Sequence, residues 1–370
     1  MERTRRTERR LGRPGPPGRT LRLCLALAFG ATTELPAQTA SASFPEVHDS
    51  HFHLTNYVQQ GTDIRELLKI MGTKVGRVAL FGIPLQQTWS YGNTGDFAPT
   101  YYLQTDAPLY YYSFTDAFIA MAYRSLPPVD QARFDPMITG FNPADMYAAD
   151  HIKRVLQTFP GVFSGIGEFT IHKEFVSAKI AGETASLTNP ALDRVLDFAA
   201  EVGLVVILHN DVDMPFPKPG QEPYQVAQLR ELLRRHPKTT VIWAHCGLGR
   251  VVHPVKDQIG ILDRALSSPE LPNLYVDISW DETAKFLVAS PETIHAAADF
   301  IERHPDRVLV GTDEVAPTEQ AKYLKVYDMY APLFAKLAPE VSEKVRKGNY
   351  ERLFDAARTR VRAWEEANPR

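Results

Sequence analysis

The run Val47-His48-Asp49-Ser50-His51-Phe52-His53-Leu54 carries two histidines one residue apart at the end of an apolar-flanked stretch. In an extended strand, residues i and i+2 face the same side, so both imidazoles enter one space. Neutral imidazole is a common ligand of catalytic divalent ions, and two on one strand make a rigid beginning to a metal site. Taken alone, such a pair fits an exposed polar turn better. The rest of the chain decides between the two. Four further apolar, strand-like runs end in Glu168, His209, His245 and Asp313. A histidine closing an apolar strand is poor packing, because a buried ring needs polar partners for both nitrogens. Repeated in this order along the chain, the pattern points to one shared site for a divalent metal ion, zinc by donor type.

The elements that must position these residues alternate regularly. Strand patterns fall at 47–53, 74–83, 136–141, 161–169, 204–209, 239–245, 274–279 and 307–313, each followed by a helical pattern or a long crossover. Eight β/α units over this length predict an α/β fold, a (β/α)8 TIM barrel, whose strand ends converge on one mouth where such enzymes place their chemistry. A doubly wound sheet would spread the same ends along an open edge. Residues 84–128 break the alternation with Trp89, Tyr91, Phe97, Tyr101, Tyr102, Tyr110 to Tyr112 and Phe114. This long aromatic insertion after the second strand is expected to form a lid or substrate wall, or a homo-oligomer contact. Extra helices close the chain over 318–337 and 339–366.

At this point the residues resemble a known family. Asp49-Ser50-His51-Phe52-His53, Gly167-Glu168, His209, Ala244-His245-Cys246-Gly247 and Gly311-Thr312-Asp313 are similar to the ordered motifs of the amidohydrolase superfamily, nearest to its amidohydrolase-2 (amidohydrolase-related) branch of TIM-barrel metal-dependent hydrolases. Gly348-Asn349-Tyr350-Glu351-Arg352-Leu353-Phe354 resembles that family's Gly-Asn-Ala-x-Arg-Leu-Phe, with tyrosine in place of alanine. The resemblance implies that His51, His53, His209 and Asp313 are metal ligands. It makes Glu168 a ligand, a bridge between two ions or a supporting carboxylate, makes His245 a ligand where the site is binuclear and a polariser or proton donor where it is mononuclear, and makes Asp313 and His245 the catalytic pair. A divalent ion brings the pKa of its water to roughly 7. Asp313 is then expected to take the water proton and deliver it to the leaving group, and His245 to hydrogen-bond the developing oxyanion or the leaving atom. The implied activity is hydrolysis of an ester, lactone or amide bond in a small-molecule substrate. The alternative is a decarboxylase, a lyase acting on an aromatic or unsaturated carboxylic acid. Arg250, His172, Lys173 and Trp280 follow the strand ends and are candidates for substrate binding. Asp211 and Asp213 read as solvated loop charges, Cys246 as a packing residue, and His236, His253, His295 and His304 as surface residues.

The chain has 370 residues, 44% of them hydrophobic and 23% charged, which is ample for a large core. A net charge of -3 and a pI near 6.4 give no electrostatic footprint for nucleic acid. The N-terminus differs from the rest. An arginine-rich start to Arg22 is followed by apolar Leu23 to Ala31 and a small, polar stretch, the order of a secretory signal peptide. The apolar run is too short to span a membrane, so residues 1–43 are expected to be a signal and mature tail, with 44–370 a single domain exported to the periplasm or medium and no stable membrane anchor after cleavage. Removal of the signal leaves Cys246 as the remaining cysteine, so the exported domain has no intrachain disulfide. Cleavage between about Ala31 and Ser43 is expected. Intact mass of the exported protein checks it, and a mature chain still starting at Met1 would refute it.

Overall fold

The computed structural model describes residues 45–56, 60–83, 88–89, 103–104, 114–173, 176–177, 186–213, 223–249 and 254–370. Within it, β1 (Val47–His53), β2 (Val75–Phe81), β3 (Phe134–Ile138), β4 (Gly165–Lys173), β5 (Val205–Asn210), β6 (Thr240–Trp243), β7 (Leu274–Asp277) and β8 pair in parallel in chain order. β8 is broken into Val308–Leu309 and Glu314–Val315. Its first piece pairs with β7 (Val276 opposite Val308) and its second with β1 (Phe52 opposite Glu314), which closes the sheet into the expected barrel. Phe44–Arg370 forms one compact unit. Among the described residues, no helix is long and apolar enough to cross a membrane.

The intervening helices follow from ordinary end signals. Asp63 accepts from the backbone N–H groups of Arg65 and Glu66 at the start of Ile64–Met71, and Gly72, at φ 51, ends that helix. Its Ile64, Leu67 and Met71 lie on one stripe and are buried. Asn189 caps Pro190–Val202, with proline in the first turn and the left-handed Gly203 after the last. Each fully buried leucine of these stripes contributes roughly 1.5–3 kcal/mol relative to an exposed one.

Strand alternation separates two cores. Val78, Leu80, Val206, Leu208, Val241, Trp243, Leu274 and Val276 face the helices. Ala79, Phe81, Val205, Ile207, Ile242 and Tyr275 fill the barrel interior, joined there by Tyr350, Leu353, Phe354 and Ala357 of the closing helix Asn349–Ala367. The Gly348-to-Phe354 motif is thus a plug. Asn349 donates to the Pro305 and Val308 carbonyls, Arg352 to the Asp306 carbonyl, and the Tyr350 hydroxyl to Asp135 Oδ2 at 2.7 Å. Asp135, itself fully buried, also binds Arg77 at 2.9 Å and Arg358 at 2.6 Å.

Several boundaries differ from those read in the sequence. β3 starts earlier, because Phe134 and Asp135 already pair with Val78 and Ala79. β4 runs on to Lys173, held by β5 on one side and by antiparallel Val176–Ser177 on the other. β6 stops at Trp243, leaving His245 in the turn beyond it. Of the aromatic insertion, the structure describes a short parallel pairing of Thr88–Trp89 with Leu103–Gln104 and the helix Phe114–Arg124. The lid expected over 84–128 otherwise lies outside the described residues. Asp135→Ala removes one partner each from Arg77 and Arg358, which keep Asp355 and the Phe134 carbonyl, and leaves the buried Tyr350 hydroxyl unpaired, so it is expected to lose about 1–3 kcal/mol in urea unfolding. Metal binding at the opposite end of the barrel should survive in the folded fraction.

Candidate metal centre

Alternation along β1 turns His51 and His53 into the barrel mouth, one on either side of outward-facing Phe52. β4 carries an extra residue against β5, since Ile166 pairs with Val206 but Phe169 with Leu208. The bulge falls at Gly167-Glu168. Gly167 has φ 126, and a Cβ there would meet the Ile207 carbonyl oxygen at 2.4 Å, so the position requires glycine. After β6, His245 and Cys246 sit in the left-handed region at φ 56 and 54. Gly247 follows because a Cβ would meet Trp243 at 2.3 Å. The break in β8 places Asp313 at φ 53, with its N–H donating to the His51 carbonyl at 2.8 Å.

These turns bring the six candidates together. His51 Nε2 lies 3.3 Å from Asp313 Oδ1 and 3.8 Å from Glu168 Oε2, and His53 Nε2 lies 3.1 and 3.5 Å from the same two atoms. The other oxygens face the other histidines. Glu168 Oε1 is 2.5 Å from His209 Nδ1 and 3.5 Å from His245 Nε2, and Asp313 Oδ2 is 3.9 Å from His245 Nε2. Two lobes result, His51/His53 and His209/His245, with both carboxylates between them. Among the described residues, the groups able to hold an ion are His51, His53, Glu168 and Asp313 in the first lobe, Glu168, His209 and His245 in the second, and His51, His245 and Asp277 behind them, where Asp277 already accepts from His51 Nδ1. His209, expected beside His51 and His53, therefore stands across Glu168 from them.

Outer hydrogen bonds set which ring nitrogen looks inward. His53 Nδ1 donates to the Gly82 carbonyl at 3.2 Å, His51 Nδ1 to Asp277 Oδ2 at 3.0 Å, and His245 Nδ1 to Ser279 Oγ at 2.8 Å. His209 is reversed, its Nε2 donating to Asp211 Oδ1 at 3.1 Å. The inward atoms are then four imidazole nitrogens and two carboxylates. His53 Nε2 hydrogen-bonds Asp313 Oδ1 at 3.1 Å and His209 Nδ1 hydrogen-bonds Glu168 Oε1, whereas His51 Nε2 and His245 Nε2 are buried with no hydrogen-bond partner. Two buried carboxylates ringed by four imidazoles need protons or a cation among them, and the set fits a divalent cation held by imidazole and carboxylate.

The electrostatics agree with this reading. Burial alone would depress the His51 imidazole, but Asp277, and then Asp313 and Glu168, lift it well above its ordinary value. Against the same burial, Asp313 and Glu168 also raise His53. Burial would raise the two carboxyls. Lys173 and His209 hold Glu168 well below the usual carboxylate range, and His245, His51 and His53 do the same for Asp313. His245 moves the other way, because burial lowers it more than Asp313 and Glu168 raise it.

Of the residues expected around the substrate, Lys173 is buried with its Nζ 5.3 Å from the centre of the Trp280 ring, and that ring lies 5.1 Å from His245. His172 is on the same strand, with both ring nitrogens buried and without a hydrogen-bond partner. Burial depresses its imidazole against an opposing pull from Asp211. Arg250 and His253 lie outside the described residues. Asp211 is not a solvated charge but a buried partner of His209, and His236 is not a surface residue but is buried against Asp193 and Asp197 at 2.6 and 2.9 Å. Asp277 and Ser279 were not singled out in the sequence. Their signal was alternation: Tyr275 faces the barrel interior, so Asp277 and Ser279 follow it inward along an otherwise apolar strand.

The amidohydrolase family model matches residues 49–356, most of the chain. The chain belongs to the amidohydrolase family, and it is a metal-dependent enzyme of that superfamily. Among solved structures it is similar to 2,6-dihydroxybenzoate decarboxylase from Rhizobium, with a TM-score of 0.51 at 16% identity over 84% of this chain and 99% of the other. A 2,6-dihydroxybenzoate decarboxylase complexed with 2,6-dihydroxybenzoate gives 0.52 at 15%, and an uncharacterised TIM-barrel protein from Bordetella bronchiseptica 0.51 at 15%, both over 84% and 99%. At such identity the likeness shows the barrel fold. No curated protein sequence matches the chain. The purified domain is expected to hold at least one zinc-class ion, and His51→Ala to lose most of it, as elemental analysis of the two proteins would show. Undiminished occupancy in His51→Ala would refute the assignment.

Proposed function

We propose that this chain is an exported, metal-dependent hydrolase that opens an ester, lactone or amide bond in a small molecule. The observation that carries the reading is the convergence of one nitrogen each of His51, His53, His209 and His245 on Glu168 and Asp313, the rings held by hydrogen bonds from behind. The first lobe would hold one zinc ion through His51, His53, Asp313 and Glu168, and the second lobe suits another through Glu168, His209 and His245. Such an ion supplies Lewis acidity towards a carbonyl and makes hydroxide available near neutral pH.

The chain's own groups supply the rest. Asp313 stays ionised and is placed to accept a proton at a carboxylate oxygen as water attacks. With the second lobe free of an ion, His245 presents a lone pair at Nε2 and, after taking a proton there, is placed to hydrogen-bond an oxyanion or to protonate a leaving atom. Glu168 Oε1 at 3.5 Å and Asp313 Oδ2 at 3.9 Å are the carboxylate oxygens beside that nitrogen, and Asp313 is the one proposed to collect the water proton. Trp280 walls the His245 side and Lys173 sets a cation over that wall. A flat ring beside a buried cation also suits a planar carboxylated substrate, and this observation supports the second reading, decarboxylation of an aromatic or unsaturated acid. The basic-then-apolar N-terminal order supports export.

Asp313→Asn keeps an oxygen ligand but loses the basic oxygen, so metal should stay largely bound while turnover falls on the order of a hundredfold or more. The assay pairs a lactone or ester with a carboxylated aromatic, following acid release in one and carbon dioxide in the other. Carbon dioxide release with no hydrolysis would transfer the assignment to the lyase, and full activity of Asp313→Asn on either substrate would overturn the proton-transfer role.

A further inference from the structure

We infer that Asp277, at the end of β7, is a shared positioning residue that sets the tautomers of two imidazoles from different strands, His51 and His245. Its Oδ2 accepts from His51 Nδ1 at 3.0 Å. Its Oδ1 accepts from the backbone N–H of His245 at 2.8 Å, from the backbone N–H of Ser279 at 3.2 Å and from the Ser279 hydroxyl. Because that hydroxyl spends its proton on Asp277, its oxygen is left as the acceptor for His245 Nδ1–H. The carboxylate is fully buried, as are both rings, so water offers no substitute partner. One anion therefore places a proton on Nδ1 of His51 directly and on Nδ1 of His245 through Ser279. Both Nε2 lone pairs then point into the mouth, where neither has a hydrogen-bond partner. The left-handed backbone at His245 is pinned by the same Oδ1 atom.

The two branches separate chemically. In Asp277→Asn the carboxamide oxygen is drawn to the Oδ1 position, where three donors converge. The amide NH2 then faces His51 Nδ1. Two donors cannot pair, so the His51 proton moves to Nε2 and a lone pair in the mouth becomes an N–H. In Ser279→Ala only the His245 branch is cut, and the bond between His51 and Asp277 remains.

The inference rests on His51 being a ligand only for its effect on affinity; the tautomers are readable without that assignment. Imidazole nitrogen NMR of the wild-type domain, metal-free and zinc-loaded, should find Nδ1 of both His51 and His245 protonated. Chelator competition should show Asp277→Asn binding zinc roughly 10–100-fold more weakly. Ser279→Ala should keep the affinity of the tighter zinc site and lose the defined His245 tautomer. An unprotonated Nδ1 on either wild-type ring, or wild-type zinc affinity in a folded Asp277→Asn, would overturn the inference. A wild-type domain that shows the expected tautomers but no zinc affinity would uphold the positioning of the rings and overturn the proposed metal function. If Asp277→Asn does not fold, the wild-type spectrum with Ser279→Ala still decides it, since Ser279→Ala retaining an ordered His245 Nδ1–H would contradict the relay.

Discussion

Four imidazoles and two carboxylates closed inside a barrel mouth need protons or a cation among them, and the structure is arranged around holding them there. Like-charged or acceptor-only groups at 3 to 4 Å in a poorly solvated space cost several kcal/mol unless a cation or protons lie among them. Metal and proton are therefore competitors for the same lone pairs. The high imidazole values at His51 and His53, and the low carboxyl values at Glu168 and Asp313, describe the chamber when protons do the neutralising. An ion that binds must release them, which makes affinity rise with pH over the range in which the histidines titrate.

Holding such groups together takes restraint from outside the mouth. Asp49 accepts from the His51 and Thr312 N–H groups at 3.0 Å, the Thr312 hydroxyl at 2.7 Å and the Tyr323 hydroxyl at 2.9 Å, joining β1, the break in β8 and helix Gln320–Met329. Burial raises its carboxyl to about 6 against those hydrogen bonds, so the joint is strongest electrostatically when the group is ionised. At Gly311 a Cβ would come within 2.9 Å of His51, and this close approach lets β8 pass behind the first ligand strand. At the far end, the plug of Tyr350 and Asp135 fixes the starts of β2 and β3. The mouth can be strained because the bottom is closed.

The sequence made the strands legible because each parallel strand is buried on both faces and reads as an apolar run that stops at a polar residue. Those stops lie on five of the eight strands, and His51, His53, Glu168, His209, His245 and Asp313 lie together at the mouth. What it did not make legible were the supports. Asp277 interrupts an apolar strand and was passed over, because an acid in a strand is usually surface-facing. Asp211 looked like a loop charge, because nothing in its neighbours says that His209 Nε2 will cover it. Bulges account for the rest. The two register shifts in β4 carry that strand on to Lys173, and hydrophobic periodicity cannot show an inserted residue.

Lys173 shows why the supports matter as much as the ligands. A buried cation next to a cation site looks counterproductive, yet its charge falls on two particular groups. It is the largest charge holding Glu168 in the ionised form, and with burial it opposes protonation of His209, whose imidazole Glu168 and Asp211 nonetheless raise above its ordinary value. Both effects move the second lobe towards its ligand-competent state, an ionised carboxylate beside a neutral imidazole. The cation is kept from the lone pairs by standing over the face of Trp280, where the ring's π-system offers attraction in place of full hydration. A lysine in that position weakens the proton's claim on His209 without itself covering the inward Nδ1, which faces Glu168.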